Sequence, residues 1–200
     1  HAEFKVDDFE KERHVIHHEI DMSMDQVEEY IFDRYFEESY KGHPLCRSIL
    51  GTPETLNSMS VKALREFYLS RYHGKDLVVC VAGSVDHDFV VDLVSRKLKP
   101  RRKNFRRPAR RKPQVNAFKH IQKRPSEQVH FLLGVPSSSF RDKYRFQGYV
   151  ANAVLGSGMT SRLYQKVREK KGLAYSVYSY LHAFTDSGLL MVYAGVSEKN

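Results

Sequence analysis

Two hundred residues, 41% hydrophobic and 28% charged, suffice for one large domain or two small ones with a real core. No apolar run approaches the roughly 18–20 residues that span a bilayer, so no membrane association is expected. The net charge of +9 has a local source: eight of the twelve residues in 101–112 are Lys or Arg, and the remainder is near neutral. No zinc-finger spacing, RNP-like aromatic pattern or Gly-rich phosphate loop accompanies that run, so nucleic acid is not an expected partner. Cys46 and Cys80 form no CxxC pattern; they read as reduced packing residues, which points to a reducing, cytoplasmic compartment. The opening HAEFKVDDFEKER has no initiator Met and no apolar segment of signal-peptide type.

In chain order, Asp7 or Asp8 caps a predicted helix through FEKERHVIHHEIDM. DQVEEYIFDRYFEESY predicts a second helix, with Val27, Tyr30, Ile31, Tyr35 and Phe36 along one side, broken at Gly42 and Pro44. SMSVKALREFYLSRY predicts a helix capped by Ser58 or Ser60, with Leu64, Phe67, Tyr68 and Tyr72 toward a core. DLVVCVAGSV is a short, nearly continuous apolar run and predicts a buried strand. DHDFVVDLVSRKL predicts a further helix.

The basic connector around 99–113 marks the expected domain boundary, which divides the chain into 1–100, a linker at 101–113, and 114–200. After it, VNAFKHIQ and EQVHFLLGVP read as two strands of a hairpin. KYRFQGYVANAVLG predicts a helix that Gly156 and Gly158 stop. TSRLYQKVREKKG predicts another, capped by Thr160 or Ser161 and closed by a left-handed Gly172. AYSVYSYLHAF and GLLMVYAGV alternate like paired strands around TDSG. Mixed blocks of helix and strand predict an α+β fold with largely antiparallel sheets.

Three groups of residues could carry chemistry. Glu12 and Glu19 stand seven apart, nearly two full turns, and so share one face of the first helix. His14 and His18 stand at i and i+4, a spacing that can grip a metal, with His17 beside them; no glutamate stands between them to act as a base. Arg168 and Tyr175 straddle Gly172, so guanidinium and phenol can face one cleft and hold a developing oxyanion. No GxSxG elbow or catalytic cysteine context is present.

These motifs together resemble the pitrilysin/insulinase (inverzincin) family of zinc metallopeptidases, including bacterial processing-type members and mitochondrial processing peptidase. FEKERHVIHHEI resembles the segment in which a glutamate leads, seven residues on, to the zinc-ligating glutamate. GHPLCRSILGTPETL and RYHGKDLVVCVAGSVDHDFVVDLV resemble later parts of the family's first domain. VLGSGMTSRLYQKVREKKGLAYSVYSY is similar to the signature of the second, non-zinc domain.

The resemblance implies two homologous α/β-roll units, with helices packed on one face of each sheet. Residues 1–100 would be the C-terminal part of the zinc-binding domain and 114–200 the N-terminal part of the second. It implies that Glu19 is a zinc ligand and that Glu12 supports the metal site without touching the ion. Arg168 and Tyr175 would be the pair the second domain offers to the substrate; with Glu12 they are the residues assigned to catalysis. The family's His-x-x-Glu-His element would lie roughly 75 residues before Glu19, outside these 200 residues. The implied activity is zinc-dependent hydrolysis of peptides or unfolded polypeptides in an enclosed chamber, by the parent and not by this piece alone. The peptide would bind as an extended strand. Homodimers, or heterodimers with a related subunit, fit the same family. The alternative is a non-catalytic structural or partner subunit of the same architecture.

Overall fold

The structure is a computed structural model that describes residues 3–72, 77–98 and 109–199. Most of the basic connector, 101–108, and the start of the expected strand at 76–85 lie outside the described residues. Two compact units are present, one from His1–Val15 and Glu54–Arg110, the other from Ile16–Pro53 and Arg111–Asn200. No helix among the described residues is long and apolar enough to cross a membrane.

The first unit is helical in its described residues. It contains the start of α1 (Val6–Asp25), then α3 (Pro53–Ser58), α4 (Val61–Arg71) and α5 (His87–Lys97). Asp7 and Asp8 do not cap α1; they sit in its first turn, where their charge favours the positive end of the helix dipole. Of the two candidates before α4, Ser60 is the cap, its hydroxyl accepting from Ala63 N at 3.1 Å. Asp86 caps α5 in the same way, accepting from Phe89 N at 2.9 Å.

Tyr68 of α4 packs edge-on against Phe4, whereas Phe67 and Tyr72 are exposed, contrary to the expectation that they face a core. The apolar run 77–82 is not a strand either. Its residues are exposed, Val78 most of all, and no neighbouring strand in this unit's described residues offers a ladder. Hydrophobic composition marks such a segment for burial but cannot supply its pairing partner. Cys80 is exposed with it, while Cys46 packs at the edge of the second unit's core; both are free thiols.

The second unit holds the rest of α1, α2 (Val27–Ser39) and α6 (Arg145–Leu155). Its sheet is built from β1 (Val129–Pro136), β2 (Ala174–Ala183) and β3 (Gly188–Val196). The sheet is fully antiparallel in the order β1-β3-β2. This is the mixed, antiparallel α+β arrangement that the sequence pattern predicts.

α6 packs on β2 at the face of Ser179 and Leu181, where Gly148 and Gly156 allow close approach. α2 lies across the opposite face. Phe32 stacks on Tyr178 and Tyr193, and Phe36 meets His182 edge-on. The core closes around Tyr40, Leu189 and Met191, all buried, with the Tyr40 and Ser187 hydroxyls 3.0 Å apart. The expected strand at VNAFKHIQ does not form. Asn116 N instead donates to Ser39 O at 2.8 Å and its carboxamide to Lys41 O, so this stretch ends α2 rather than pairing with β1. A helix end leaves carbonyls to satisfy, and Asn116 satisfies that of Ser39.

Candidate functional site

The first candidate site surrounds Arg168 and Tyr175. After α6, the chain enters a short turn with Gly158 at φ +101° and forms a π-helix, Tyr164–Lys170. Neither Thr160 nor Ser161 caps it as expected; the Ser161 hydroxyl is buried without a hydrogen-bond partner among the described residues. The π-helix closes as expected at Gly172, φ +60°, with Gly172 N donating to Arg168 O and Leu173 N to Val167 O. Wide helical turns of this kind collect at functional sites.

Immediately beyond, β2 carries a bulge. Ala174 pairs with Val196 and Ser176 with Gly195, so Tyr175 is the extra, unpaired residue. Released from the ladder, its ring is 73% exposed. The Arg168 guanidinium stands 5.2 Å from the Tyr175 ring and 4.9 Å from the Tyr164 ring. Arg168 and Tyr175 line one cleft of about 490 Å³, with Gln128 and Gly195 on its wall. The spacing around Gly172 therefore does bring the two side chains together.

A second cleft, about 430 Å³, lies between α2 and the Tyr178–Tyr180 face of β2, and Ser23 also lines it. Its charged wall is Glu28, Glu29 and Asp33; its aromatic wall is Phe32, Tyr178 and Tyr180. Tyr178 donates to Glu28 at 2.5 Å, and burial together with that contact pushes the phenol well above its usual range. Behind it, Tyr193, hydrogen-bonded to His130 Nδ1 at 2.7 Å, is pushed up to about 12 by burial and then by Glu28. Both phenols are thus neutral donors beside a fixed carboxylate. Asp33 is raised from its ordinary value, first by burial and further by Glu29 and Glu37, while a bond from Ser48 acts the other way.

This groove was not singled out from the sequence. The signal was local and split: Glu28, Glu29 and Asp33 on one helical stripe, Tyr178 and Tyr180 on one strand face. Only folding joins positions 150 residues apart.

Glu12 and Glu19 both lie exposed on α1, and neither carboxylate joins a hydrogen bond or ion pair among the described residues. Ser23, one helical turn beyond Glu19, lines the acidic groove, and Glu19 does not. His14 and His18 are exposed on the side of α1 away from buried Ile20. No group of three or more His, Cys, Asp or Glu among the described residues could hold a metal ion.

Residues 58–200 match the family described as the peptidase M16 inactive domain. An uncharacterized zinc protease of Mycobacterium leprae is 40% identical over 194 residues, which cover 94% of this chain and 44% of that protein. Among solved structures, a protease from Helicobacter pylori superposes with a TM-score of 0.83 at 24% identity, over 96% of this chain and 48% of its own. A chain of complex III2 from Candida albicans reaches 0.79 at 16% identity, over 94% and 47%. At those identities the two superpositions show a shared fold. The chain spans about half the length of the curated relatives it matches, 44–47% for those from M. leprae and Bacillus subtilis. The family match covers well over half of these residues, and the chain belongs to the peptidase M16 family.

Proposed function

We propose that this chain is part of a zinc-dependent endopeptidase that cleaves peptides or unfolded polypeptides held as extended strands in an enclosed chamber. The observation that carries the reading is the Arg168–Tyr175 pair. A π-helix and a β-bulge, each an energetic concession in regular structure, flank Gly172 and turn both side chains into one cleft. The names of curated relatives, zinc proteases that share 31–40% identity, support the same activity.

Zinc fits the residues present in one limited respect. Glu19 is an exposed carboxylate without an internal partner and can serve as one oxygen ligand, which is too few to hold the ion alone. No His-x-x-Glu-His occurs in the 200 residues; the remaining ligands and the general base would come from elsewhere in a longer polypeptide. When bound, the metal would supply an activated water. The roles that fall to this chain are positional and electrostatic. Arg168 and Tyr175 would donate to the substrate carbonyl oxygen as negative charge builds on it. Glu12 would hold the surroundings of Glu19 in place.

The acidic groove adds a preference. A basic side chain entering between Glu29 and Asp33 would meet two carboxylates and the faces of Phe32 and Tyr180, and both interactions favour a cation. The test uses the full-length polypeptide containing this chain. Tyr175→Phe should lower kcat by roughly ten- to a thousandfold, the range for one lost oxyanion donor, with little change in melting temperature. Unaltered turnover would make Tyr175 a structural strand residue and remove it from the oxyanion role; no peptide hydrolysis by the unmutated polypeptide would instead support a non-catalytic partner subunit of the same family.

A further inference from the structure

We propose that Gln128 is a third substrate-contacting residue of the Arg168–Tyr175 cleft, its carboxamide hydrogen-bonding the main chain of the bound peptide. The inference rests on the reading that this cleft receives peptide. Gln128 is the residue just before β1 and lines the cleft with Arg168 and Tyr175. Its backbone N–H donates to Ser126 Oγ at 3.4 Å. No protein group among the described residues hydrogen-bonds its carboxamide, so its oxygen and NH2 are available to a ligand in the cleft.

The neighbouring strand is shaped around this side chain. A Cβ at Gly195 would stand 2.7 Å from Gln128 Oε1, so the carboxamide lies over β3 at a position without a side chain. Gly195 has no left-handed backbone to account for it. A glycine inside a strand commonly marks a close approach, and here the approaching group is an unpaired amide. Carboxamide oxygen and NH2 together match the C=O and N–H of an extended peptide. The ligand is therefore main chain, and the interaction makes no demand on the peptide's side chains.

Binding of a fluorescein-labelled, unstructured peptide rich in Lys and Arg, followed by fluorescence anisotropy, tests this on the 200-residue chain. Gln128→Ala should weaken binding roughly three- to tenfold, as expected for a hydrogen bond lost to the main chain. Gly195→Ala, which displaces the carboxamide and spares Arg168 and Tyr175, should weaken it to a similar degree. The double variant should be no worse than Gln128→Ala, because both changes remove one interaction. The side-chain NH2 resonances of Gln128 should shift on titration with the peptide in proportion to occupancy.

Wild-type affinity in Gln128→Ala, with affinity lost in Arg168→Ala, overturns the role of Gln128 and leaves the cleft reading intact. Additive losses from Gln128→Ala and Gly195→Ala would assign the glycine effect to strand distortion and overturn the carboxamide contact. Binding unaffected by Arg168→Ala, Tyr175→Phe and Gln128→Ala alike, or no binding at all, removes the cleft reading and this inference with it.

Discussion

Both clefts depend on β2, and β2 is held in place by α6, so the contact between them is the place to perturb the fold. Gly156 ends α6. A Cβ there would stand 2.3 Å from Ser179 N and 2.6 Å from Ser179 Oγ, about 1 Å inside ordinary contact with a backbone atom that cannot swing away. In Gly156→Ala the helix end must retreat. That loosens the bond from Ser179 N to Gly156 O, 3.1 Å, and the one from Ser179 Oγ to Asn152 Oδ1, 2.8 Å. Overpacking costs about 1–3 kcal/mol and each hydrogen bond about 1 kcal/mol. The lower chain entropy of Ala in the unfolded state returns about 0.4–1 kcal/mol. The net expectation is a loss of about 2–4 kcal/mol in urea unfolding followed by far-UV circular dichroism. Gly148→Ala is the control. Its Cβ would meet only the Ser138 hydroxyl and a Leu181 methyl, both at side-chain ends, and alanine gains about 1 kcal/mol of helix propensity, so its change should stay within about 1 kcal/mol. Equal, small effects of the two substitutions would refute the argument that close approach at Ser179 fixes α6 on the sheet.

Two further outcomes follow from the acidic groove. Glu29→Lys should weaken binding of a Lys- and Arg-rich peptide by roughly three- to tenfold at low ionic strength; the difference should shrink as salt is added, because the groove is open to solvent. Tyr193 keeps its proton to about 12 against an ordinary value of 10.0, so the folded chain binds that proton more tightly than the unfolded one. Its contribution to stability is therefore complete below pH 10 and lost as pH rises from 10 to about 12. Tyr193→Phe should flatten the stability–pH slope in that window, and absorbance at 295 nm should show one fewer late-titrating phenol.

The parts of this chain that were legible in the sequence are those whose signal is local. The cap at Ser58 or Ser60, of which the structure takes Ser60, the left-handed Gly172 and the alternation of β2 and β3 each follow from a few adjacent residues. The run 77–85 and the stretch VNAFKHIQ read as strands on composition alone, yet a strand exists only where a partner ladder exists. The π-helix at Tyr164–Lys170 and the bulge at Tyr175 leave no composition signal, and the sequence placed Arg168 and Tyr175 together through Gly172 instead. The acidic groove needed tertiary structure, because Glu28 and Tyr178 belong to elements that meet only after the sheet forms.

The bulge separates a functional tyrosine from a structural one, and the separation can be measured. Strict alternation along β2 would place Tyr175 on the face of Val177, Ser179 and Leu181, all buried. The extra residue breaks that parity: Ala174 takes the buried position, at 5% exposure, and Tyr175 leaves the ladder. Among the described residues the ring contact recorded for Tyr175 is with the guanidinium of Arg168 in the π-helix, an exposed contact worth about 0.5–1 kcal/mol. Tyr178, three residues on, stacks on Phe32 and tilts against Tyr193 with ring centroids 5.0 Å apart. Truncating it opens a hole between α2 and the sheet. Tyr175→Ala should therefore change unfolding free energy by no more than about 1 kcal/mol, and Tyr178→Ala should cost about 3 kcal/mol or more. If Tyr175→Ala proves as destabilising as Tyr178→Ala, the ring is part of the packing after all, and the bulge holds the strand rather than aiming a side chain.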